Sequence, residues 1–222
     1  MEKIHVDLGK HAYDIEIGAG LLPTVGVKVA ALVPKAQRAV IVSDTNVAPL
    51  YGEILQRSLN EAGLPATIVT IEAGEQSKNM QVLSEVLEQI AESGLTRSDV
   101  LVTLGGGVVG DLGGFAAASF MRGIAFVQVP TSLLAQIDSS VGGKVAVDLK
   151  AGKNLAGAFY QPKGVFIDTN LLSTLPVRFL HDGLAEAIKY GCIQDANLFE
   201  KIAGYADDNE LLADIGSVVA TC

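Results

Sequence analysis

Three glycines in the middle of the chain have the spacing of a phosphate-binding loop. Gly105-x-Gly107-x-x-Gly110 follows an apolar run at Val100–Leu104 and precedes an alanine-rich segment, which predicts a strand that leads directly into a helix. Small residues let a backbone approach a pyrophosphate, and the first turn of the helix supplies free N–H groups. The acidic residue that usually follows about 20 positions later is missing. The glycines therefore predict either a dinucleotide site or only a tight turn.

Charged residues follow two other predicted strands. Asp44 comes after the apolar run Ala39–Val42, where a carboxylate can bind ribose hydroxyls or cap the next helix. Glu75 and Lys78 lie on a loop between a predicted strand and a predicted helix, where they can contact a cofactor or form a surface ion pair. The residue types alone leave both interpretations open.

Cationic and amide side chains occur in the glycine-rich segment that comes later. Lys144, Lys153 and Asn154 lie in or beside glycine-rich loops, and Asp138 is just upstream. Such groups suit an anionic substrate, although a single exposed lysine usually serves only solvation. Asp111 lies near the start of the predicted helix, where the helix dipole favours a carboxylate whatever its function.

A second group of candidate residues lies near the end of the chain. Glu186 and Lys189 share one face of a predicted helix, which fits either a surface ion pair or a carboxylate metal ligand beside a substrate-binding ammonium group. The three histidines, His5, His11 and His181, have no metal-binding spacing. The sequence contains no Ser–His–Asp or Cys–His signature.

The elements that position these residues alternate between strand and helix up to Pro176. This alternation predicts an α/β fold, with a mainly parallel sheet, flanking helices and an N-terminal hairpin at Ile4–Leu8 and Tyr13–Ile17. After Pro176 only helices are predicted. We expect two domains, an α/β domain at 1–176 and the beginning of an all-helical domain at 177–222. The predicted helices of the second part are Arg178–Tyr190, Ala196–Tyr205 and Glu210–Ala220.

The last predicted helix has an apolar stripe that nothing later in the sequence can cover. We expect this stripe to be a partner surface or the sign of a truncated chain. It consists of Leu211, Leu212, Ile215, Val218 and Val219.

Composition limits the class of protein. The 222 residues carry a net charge of −9 with a pI of about 4.8, which argues against a nucleic-acid-binding protein. No apolar run reaches the roughly 18 residues of a membrane span, and no signal peptide is visible. The two cysteines are far apart, so we expect a cytoplasmic protein with reduced thiols.

Six segments, in this order, resemble the 3-dehydroquinate synthase family, and together they extend over nearly the whole chain. They are SDTNV at 43–47, GEQSK at 74–78, LGGGVVGDLGGFAAASFMRG at 104–123, QVPTSLLAQIDSSVGGKVAVD at 128–148, GKNLAGAFYQP at 152–162 and GLAEAIKYG at 183–191.

The resemblance implies a Rossmann-like domain, a helical domain and an active site in the cleft between them. It implies bound NAD, one divalent metal (usually zinc, with cobalt as the alternative) and a homodimer. The implied reaction converts the sugar phosphate 3-deoxy-D-arabino-heptulosonate 7-phosphate to 3-dehydroquinate and phosphate, in the shikimate pathway that leads to chorismate and the aromatic amino acids. NAD acts there as a recycled oxidant.

The resemblance also implies roles for individual residues. Glu186 corresponds to the carboxylate metal ligand, and Arg122 to an arginine that reaches the substrate phosphate across the dimer. The residues implied to contact or neighbour the substrate are Asp138, Lys144, Asn154 and Lys189. Those implied to contact NAD are Asp44, Asn46, Glu75, Lys78, Gly106, Gly107, Val108, Val109, Gly110, Asp111, Thr131, Ser132, Lys144, Lys153, Leu171, Leu172, Ser173 and Thr174.

Two departures from the family pattern affect these implications. Ser132 replaces the commoner threonine but keeps the hydroxyl. The other two family metal ligands are histidines, and none of the histidines in this chain corresponds to them. A catalytic zinc site normally has about three protein ligands. We therefore expect an N-terminal portion of an enzyme that binds NAD, has an incomplete metal site and is inactive alone.

Three alternatives remain. Sister sugar-phosphate cyclases that make 2-deoxy-scyllo-inosose or valiolone-type products use the same cofactor chemistry. A polyol dehydrogenase of related fold would accumulate NADH. An NAD-binding scaffold without enzymatic activity would not depend on a metal even in the complete protein.

Overall fold

One mixed sheet of seven strands forms the centre of the fold in a computed structural model, which describes residues 1–222. The strands of the chain are β1 (Glu2–Val6), β2 (Tyr13–Gly18), β3 (Ala39–Asp44), β4 (Ala66–Ile71), β5 (Val100–Gly105), β6 (Ala125–Pro130), β7 (Lys144–Leu149), β8 (Gly152–Phe159) and β9 (Gly164–Asp168). The order across the sheet is β1-β2-β9-β6-β5-β3-β4, and β7 and β8 form a separate antiparallel hairpin.

All neighbouring strands of the main sheet run parallel except β1, which is antiparallel to β2. The predicted fold class is therefore confirmed, and the N-terminal hairpin adds two strands to one edge of the same sheet. Because parallel strands run in the same direction, Asp44, Gly105 and Pro130 lie side by side at the carboxyl-terminal edge of the sheet.

Eight α-helices surround the strands, and none combines the length and apolar composition needed to cross a membrane. They are α1 (Val25–Leu32), α2 (Glu53–Glu61), α3 (Met80–Glu92), α4 (Gly107–Ser119), α5 (Val177–Ile193), α6 (Ala196–Gly204), α7 (Asp208–Ala213) and α8 (Ile215–Thr221).

Local sequence signals set several helix ends. The Asn79 side chain accepts hydrogen bonds from the backbone N–H groups of Gln81 and Val82, which caps α3. Gly63 and Gly94 adopt φ values of +82° and +74° just after α2 and α3, a conformation that favours glycine at the end of a helix.

Helices cover both faces of the sheet. On β3, Ile41 faces a core shared with α1 and α2, whereas Val40 and Val42 face a core shared with α3 and α4. All six residues of β5 are buried, as expected for a central parallel strand. The helix α1, which the sequence pattern did not predict, packs closely on α2. A Cβ atom at Gly26 would lie 2.0 Å from the backbone oxygen of Ser58.

The C-terminal helices pack against the sheet, so the prediction of an uncovered apolar stripe is wrong. Leu211, Ile215 and Val218 are at most 4% exposed. They share one core with Ile15 and Ile17 of β2, residues that are distant in sequence. The division at residue 176 stays a prediction.

The predicted single helix Glu210–Ala220 is also wrong, because it is broken at Asp214. Asp214 has φ −113° and ψ 12°. Its carboxylate accepts a 2.7 Å hydrogen bond from the Tyr205 hydroxyl and pairs at 2.7 Å with Lys201 Nζ. The Lys201 contact lowers the pKa of Asp214 and the Tyr205 bond adds to this effect. These contacts with α6 and the segment after it accompany the break.

Candidate functional site

The sheet edge where β3, β5 and β6 end carries the first group of predicted site residues. At the end of β3, Asp44 Oδ1 accepts hydrogen bonds of 2.9 Å from the backbone N–H groups of Asn46 and Val47. Asp44 therefore holds the turn after β3 and does not cap a helix, because the next helical segment, Ala48–Gly52, begins after Val47 and has no side-chain cap. Contact of Asp44 and Asn46 with a ribose stays a prediction.

The start of α4 is open at the same edge. No side chain caps this helix at Gly106. A Cβ atom at Gly106 would lie 3.4 Å from Ser132 Oγ, and one at Gly107 would lie 3.0 Å from Ser139 Oγ. The N–H of Thr131 donates to Gly105 O at 3.0 Å, which holds the end of β6 beside the glycines. The fold thus leaves an uncapped helix N-terminus beside two hydroxyls.

The valines after these glycines differ in burial. Val109 is fully buried in the core between the sheet and α3, whereas Val108 is half-buried. A Cβ atom at Gly105 would lie 2.6 Å from Val109 Cβ, and one at Gly110 would lie 2.8 Å from Gln128 Oε1. The glycines at 105 and 110 therefore allow close helix–sheet packing, and Val109 can meet a ligand only through its backbone.

A buried ion pair lies behind this opening. Lys78 Nζ is 2.5 Å from Asp111 Oδ2, and the two side chains are 6% and 17% exposed. Desolvation raises the pKa of Asp111, and this effect outweighs the opposing attraction of Lys78 and Lys144. Two predicted cofactor residues therefore pair with each other and join the loop before α3 to α4.

Four predicted site residues line one cavity of about 510 Å³. Asp111 is on α4, Asp138 on the short helical turn Ala135–Ser139, and Lys144 and Asn154 on the β7–β8 hairpin. Carboxylate, ammonium and amide groups thus meet in one cavity, as an anionic polyol ligand would require.

Lys153, predicted to contact the cofactor, pairs instead with another predicted cofactor residue. Its Nζ is 2.9 Å from Glu75 Oε1, and both side chains are exposed. The hydrogen bond to Glu75 raises the pKa of Lys153. This ion pair connects the loop before α3 to the β7–β8 hairpin.

A second cluster, on the face of α5, extends from Asp138. The Tyr190 hydroxyl donates to Asp138 Oδ1 at 3.1 Å, and Lys189 Nζ lies 4.9 Å from the centre of the Tyr190 ring. Lys189 also hydrogen-bonds Glu186 and lowers the pKa of that carboxyl. Desolvation, and then the charge of Asp138, raises the pKa of Tyr190. The sequence analysis missed Tyr190, although its position four residues after Glu186 was a usable signal.

The segment Leu171–Thr174, predicted to contact NAD, has two buried leucine side chains and two hydrogen-bonded hydroxyls. Leu171 and Leu172 are 4% and 1% exposed and belong to the cores of the sheet. The Tyr51 hydroxyl lies 2.6 Å from Thr174 Oγ1 and donates to Leu171 O at 3.3 Å. Ser173 Oγ bonds the Asn170 carbonyl oxygen. The leucine side chains therefore have a structural role.

Arg122, predicted to contact the substrate phosphate, does not line this cavity. It is exposed, has φ +66° and makes no ion pair within the chain. It follows the C-terminal end of α4, whose 13 residues separate it from the open N-terminus by about 20 Å at 1.5 Å per residue.

No group of three or more His, Cys, Asp or Glu residues in the chain could hold a metal ion. Glu186 is bonded to Lys189, and His181 pairs with Asp208 at 2.9 Å. The donors present therefore do not form a complete metal site.

Similarity to known proteins identifies the family to which the chain belongs. A model of the N-terminal part of 3-dehydroquinate synthase matches residues 68–182, more than half of the chain. The chain belongs to the 3-dehydroquinate synthase family. The curated 3-dehydroquinate synthase of Clostridium acetobutylicum is 50% identical to it over 222 residues, which are 100% of this chain and 62% of that protein. The chain therefore spans less than two thirds of the length of this relative.

Solved structures agree with this membership and with the fold. A 2-epi-5-epi-valiolone synthase from Streptomyces hygroscopicus, solved with NAD+ and Zn2+, aligns with a TM-score of 0.81 and 30% identity over 94% of this chain and 57% of that one. A 2-deoxy-scyllo-inosose synthase, solved with carbaglucose-6-phosphate, NAD+ and Co2+, aligns at 0.77 with 29% identity over 85% of this chain and 50% of that one. Both of these structural neighbours are sugar-phosphate cyclases.

Proposed function

We propose that this chain is the cofactor-binding part of a 3-dehydroquinate synthase. The proposed reaction is the conversion of 3-deoxy-D-arabino-heptulosonate 7-phosphate to 3-dehydroquinate and phosphate. The observation that carries the proposal is the cavity lined by Asp111, Asp138, Lys144 and Asn154. Asp111 belongs to α4, the helix whose N-terminus is uncapped. The curated 3-dehydroquinate synthase of Clostridium acetobutylicum matches the chain at 50% identity.

NAD fits the open sheet edge. The space that a side chain at Gly106 or Gly107 would fill gives a phosphate access to the N–H groups of α4, whose dipole favours an anion. Asp44 at the end of β3 lies at the same edge, where a ribose would be held. When bound, NAD supplies a reversible hydride acceptor. The residues of this chain bind and orient it, and Thr131 and Ser132 offer hydroxyl donors beside the glycines.

The substrate side of the site is proposed to lie on the β7–β8 hairpin and α5. Lys144 and Lys189 would neutralise the carboxylate and phosphate of the sugar, and Asn154 would donate from its amide. Asp138 accepts from Tyr190, which keeps one carboxylate oxygen oriented. Arg122, which does not line the cavity of its own chain, would act on the phosphate bound by the partner of a homodimer.

A divalent metal would have Glu186 as one ligand. The donors in these 222 residues do not complete its coordination. The chain by itself is therefore expected to bind NAD and to have negligible synthase activity. The division into domains at residue 176, the homodimer, the choice of zinc over cobalt and the cytoplasmic location remain predictions from the sequence.

Turnover by the longest gene product that contains this chain tests the proposal. The protein is incubated with the heptulosonate phosphate, NAD and zinc, and phosphate and NADH are measured together. Phosphate release without net NADH is the expected result, and Glu186→Ala should abolish it. Glu200→Ala, at an exposed position on α6, is the matched control and should leave turnover unchanged.

Calorimetry on the 222-residue chain tests the cofactor half separately. NAD should release or absorb heat with the chain, and Gly106→Val should abolish the signal because the side chain would fill the space beside Ser132. An absence of NAD binding to the wild-type chain would contradict the proposal, as would normal synthase turnover by the chain alone.

A sister cyclase activity is the second candidate, because two such enzymes align closely in structure. Their sequence identities of 29% and 30% are well below the 50% of the 3-dehydroquinate synthase relative, which favours the first candidate. Offering the protein the heptulosonate phosphate in parallel with sugar phosphates that lack its carboxylate distinguishes these activities. Net NADH accumulation with a simple polyol would instead indicate a dehydrogenase.

A further inference from the structure

Asp148 lies at an irregularity in the β7–β8 hairpin. The pairing register of the two strands shifts between Val147 and Leu149, so the backbone of Asp148 is released from the regular ladder. Its N–H donates instead to Lys78 O at 2.8 Å. The irregularity therefore joins the hairpin to the loop before α3.

The side chain of Asp148 holds the backbone of Asn154. Asp148 Oδ1 accepts a 2.7 Å hydrogen bond from the N–H of Asn154. Asn154 has φ +57°, one of three non-glycine residues with a positive φ in the chain. L-residues adopt this left-handed conformation at an energetic cost, which asparagine tolerates better than most. The hydrogen bond compensates part of that cost.

The consequence concerns the cavity. Asn154 lines it together with Asp111 and Lys144, whereas Asp148 does not. Lys78, whose carbonyl oxygen accepts from the N–H of Asp148, also pairs with Asp111 through its side chain. Asp148 thus joins, through one carboxylate and one N–H, the loop proposed to bind NAD and a residue proposed to bind the substrate.

We propose that Asp148 is a positioning residue, which fixes Asn154 in its left-handed conformation and thereby keeps the Asn154 side chain on the cavity wall. This role rests on the proposed function, because Asn154 matters only if the cavity binds the substrate. Asp148 itself would touch neither substrate nor cofactor. A carbonyl oxygen at position 148 is sufficient for the role, so an asparagine should replace the aspartate.

The test compares three substitutions in the longest gene product that contains the chain. Asp148→Ala should raise the KM for the sugar phosphate by about 10-fold, the upper range expected for loss of one hydrogen bond, and change kcat much less. Asp148→Asn should restore a KM close to the wild-type value. Asp7→Ala is the matched control, since Asp7 also accepts from a backbone N–H, that of Gly9, but in the first hairpin.

A double-mutant cycle separates positioning from a general effect on the fold. In an Asn154→Ala background the side chain to be positioned is gone, so Asp148→Ala should raise KM no further. Amide hydrogen exchange of the 222-residue chain gives a readout without turnover. The N–H of Asn154 should exchange faster in Asp148→Ala, while the amides of β5 stay protected.

The outcomes are distinct. A wild-type KM in Asp148→Ala, an Asp148→Asn variant as impaired as the alanine, or additive effects in the cycle would each overturn the positioning role. A wild-type protein that neither binds NAD nor releases phosphate would overturn the proposed function instead. In that case unchanged exchange of the Asn154 amide in Asp148→Ala would still refute the contact itself.

Discussion

Replacing Lys78 by methionine isolates the contribution of the buried ion pair beside the cavity. The substitution removes the ammonium group and keeps most of the length of the side chain. It leaves Asp111 without the partner that lies 2.5 Å away in the wild type. Because both side chains are largely buried, the remaining carboxylate cannot recover full hydration.

The expected loss of stability follows from this burial. Removing one partner of a buried pair costs about 3–5 kcal/mol. Asp111 retains 17% exposure, which places the expected cost near the lower end, at about 3 kcal/mol. With a urea m-value of about 2–3 kcal/mol per M, the unfolding midpoint should fall by about 1–1.5 M.

The same variant should change how stability depends on pH. Desolvation already raises the pKa of Asp111 in the folded state, and loss of Lys78 raises it further. The folded state then binds more protons than the unfolded state between the unfolded and folded pKa values, so stability falls as the pH rises through that window. Lowering the pH from neutral towards about 4, near the unfolded pKa of an aspartate, should therefore restore part of the lost stability.

Urea unfolding followed by circular dichroism at several pH values measures both effects. Lys35→Met is the matched control, because Lys35 is exposed and makes no ion pair. The acid recovery should disappear in Lys78→Met/Asp111→Asn, which has no carboxyl group to protonate. Equal midpoints for Lys78→Met and Lys35→Met would refute this account of the pair.

Three further predictions concern helix packing, a buried carboxylate and the exposed ion pair. Gly26→Ala should cost at least about 3 kcal/mol in urea unfolding, since its Cβ would lie 2.0 Å from a backbone oxygen of α2, whereas Gly204→Ala, with open space, should not destabilise. Asp99→Ala should lower stability by about 3 kcal/mol, because the Asp99 carboxylate accepts four hydrogen bonds. Although burial opposes them, these bonds lower the pKa of Asp99, so the difference from wild type in thermal unfolding should shrink as the pH falls through that lowered value. Glu75→Gln should change stability by less than about 1 kcal/mol, because its pair with Lys153 is exposed, yet weaken NAD binding about 5-fold in calorimetry.

Signals within a few residues of one another were sufficient to predict much of the fold. The apolar runs of β3 and β5 indicate buried parallel strands, and both lie in the centre of the sheet. Asn79 caps the start of α3 and Gly94 follows its end with a positive φ, both of which are local signals. The helix α1 escaped prediction because its eight residues include three valines and a glycine, which are weak helix formers. Packing on α2 stabilises it instead.

The candidate site was predictable as a set of residues but not as a set of contacts. The family motifs placed Asp111, Asp138, Lys144 and Asn154 in the site, and these four line one cavity. No pattern in the sequence indicated that Lys78 pairs with Asp111, because Lys78 lies in the loop before α3 and Asp111 lies on α4.

The amino-acid sequence by itself determined most of the order of strands and helices, the mainly parallel sheet and the family. Only the tertiary structure decided that the last helices cover β2, that Asp214 breaks the predicted final helix, and that Tyr190 and Asp148 support Asp138 and Asn154. The physical reason is the separation along the sequence of the residues that interact. Periodicity, caps and turns depend on neighbours along the chain, whereas burial, ion pairing and the protonation of a carboxyl depend on residues that folding brings together from distant positions.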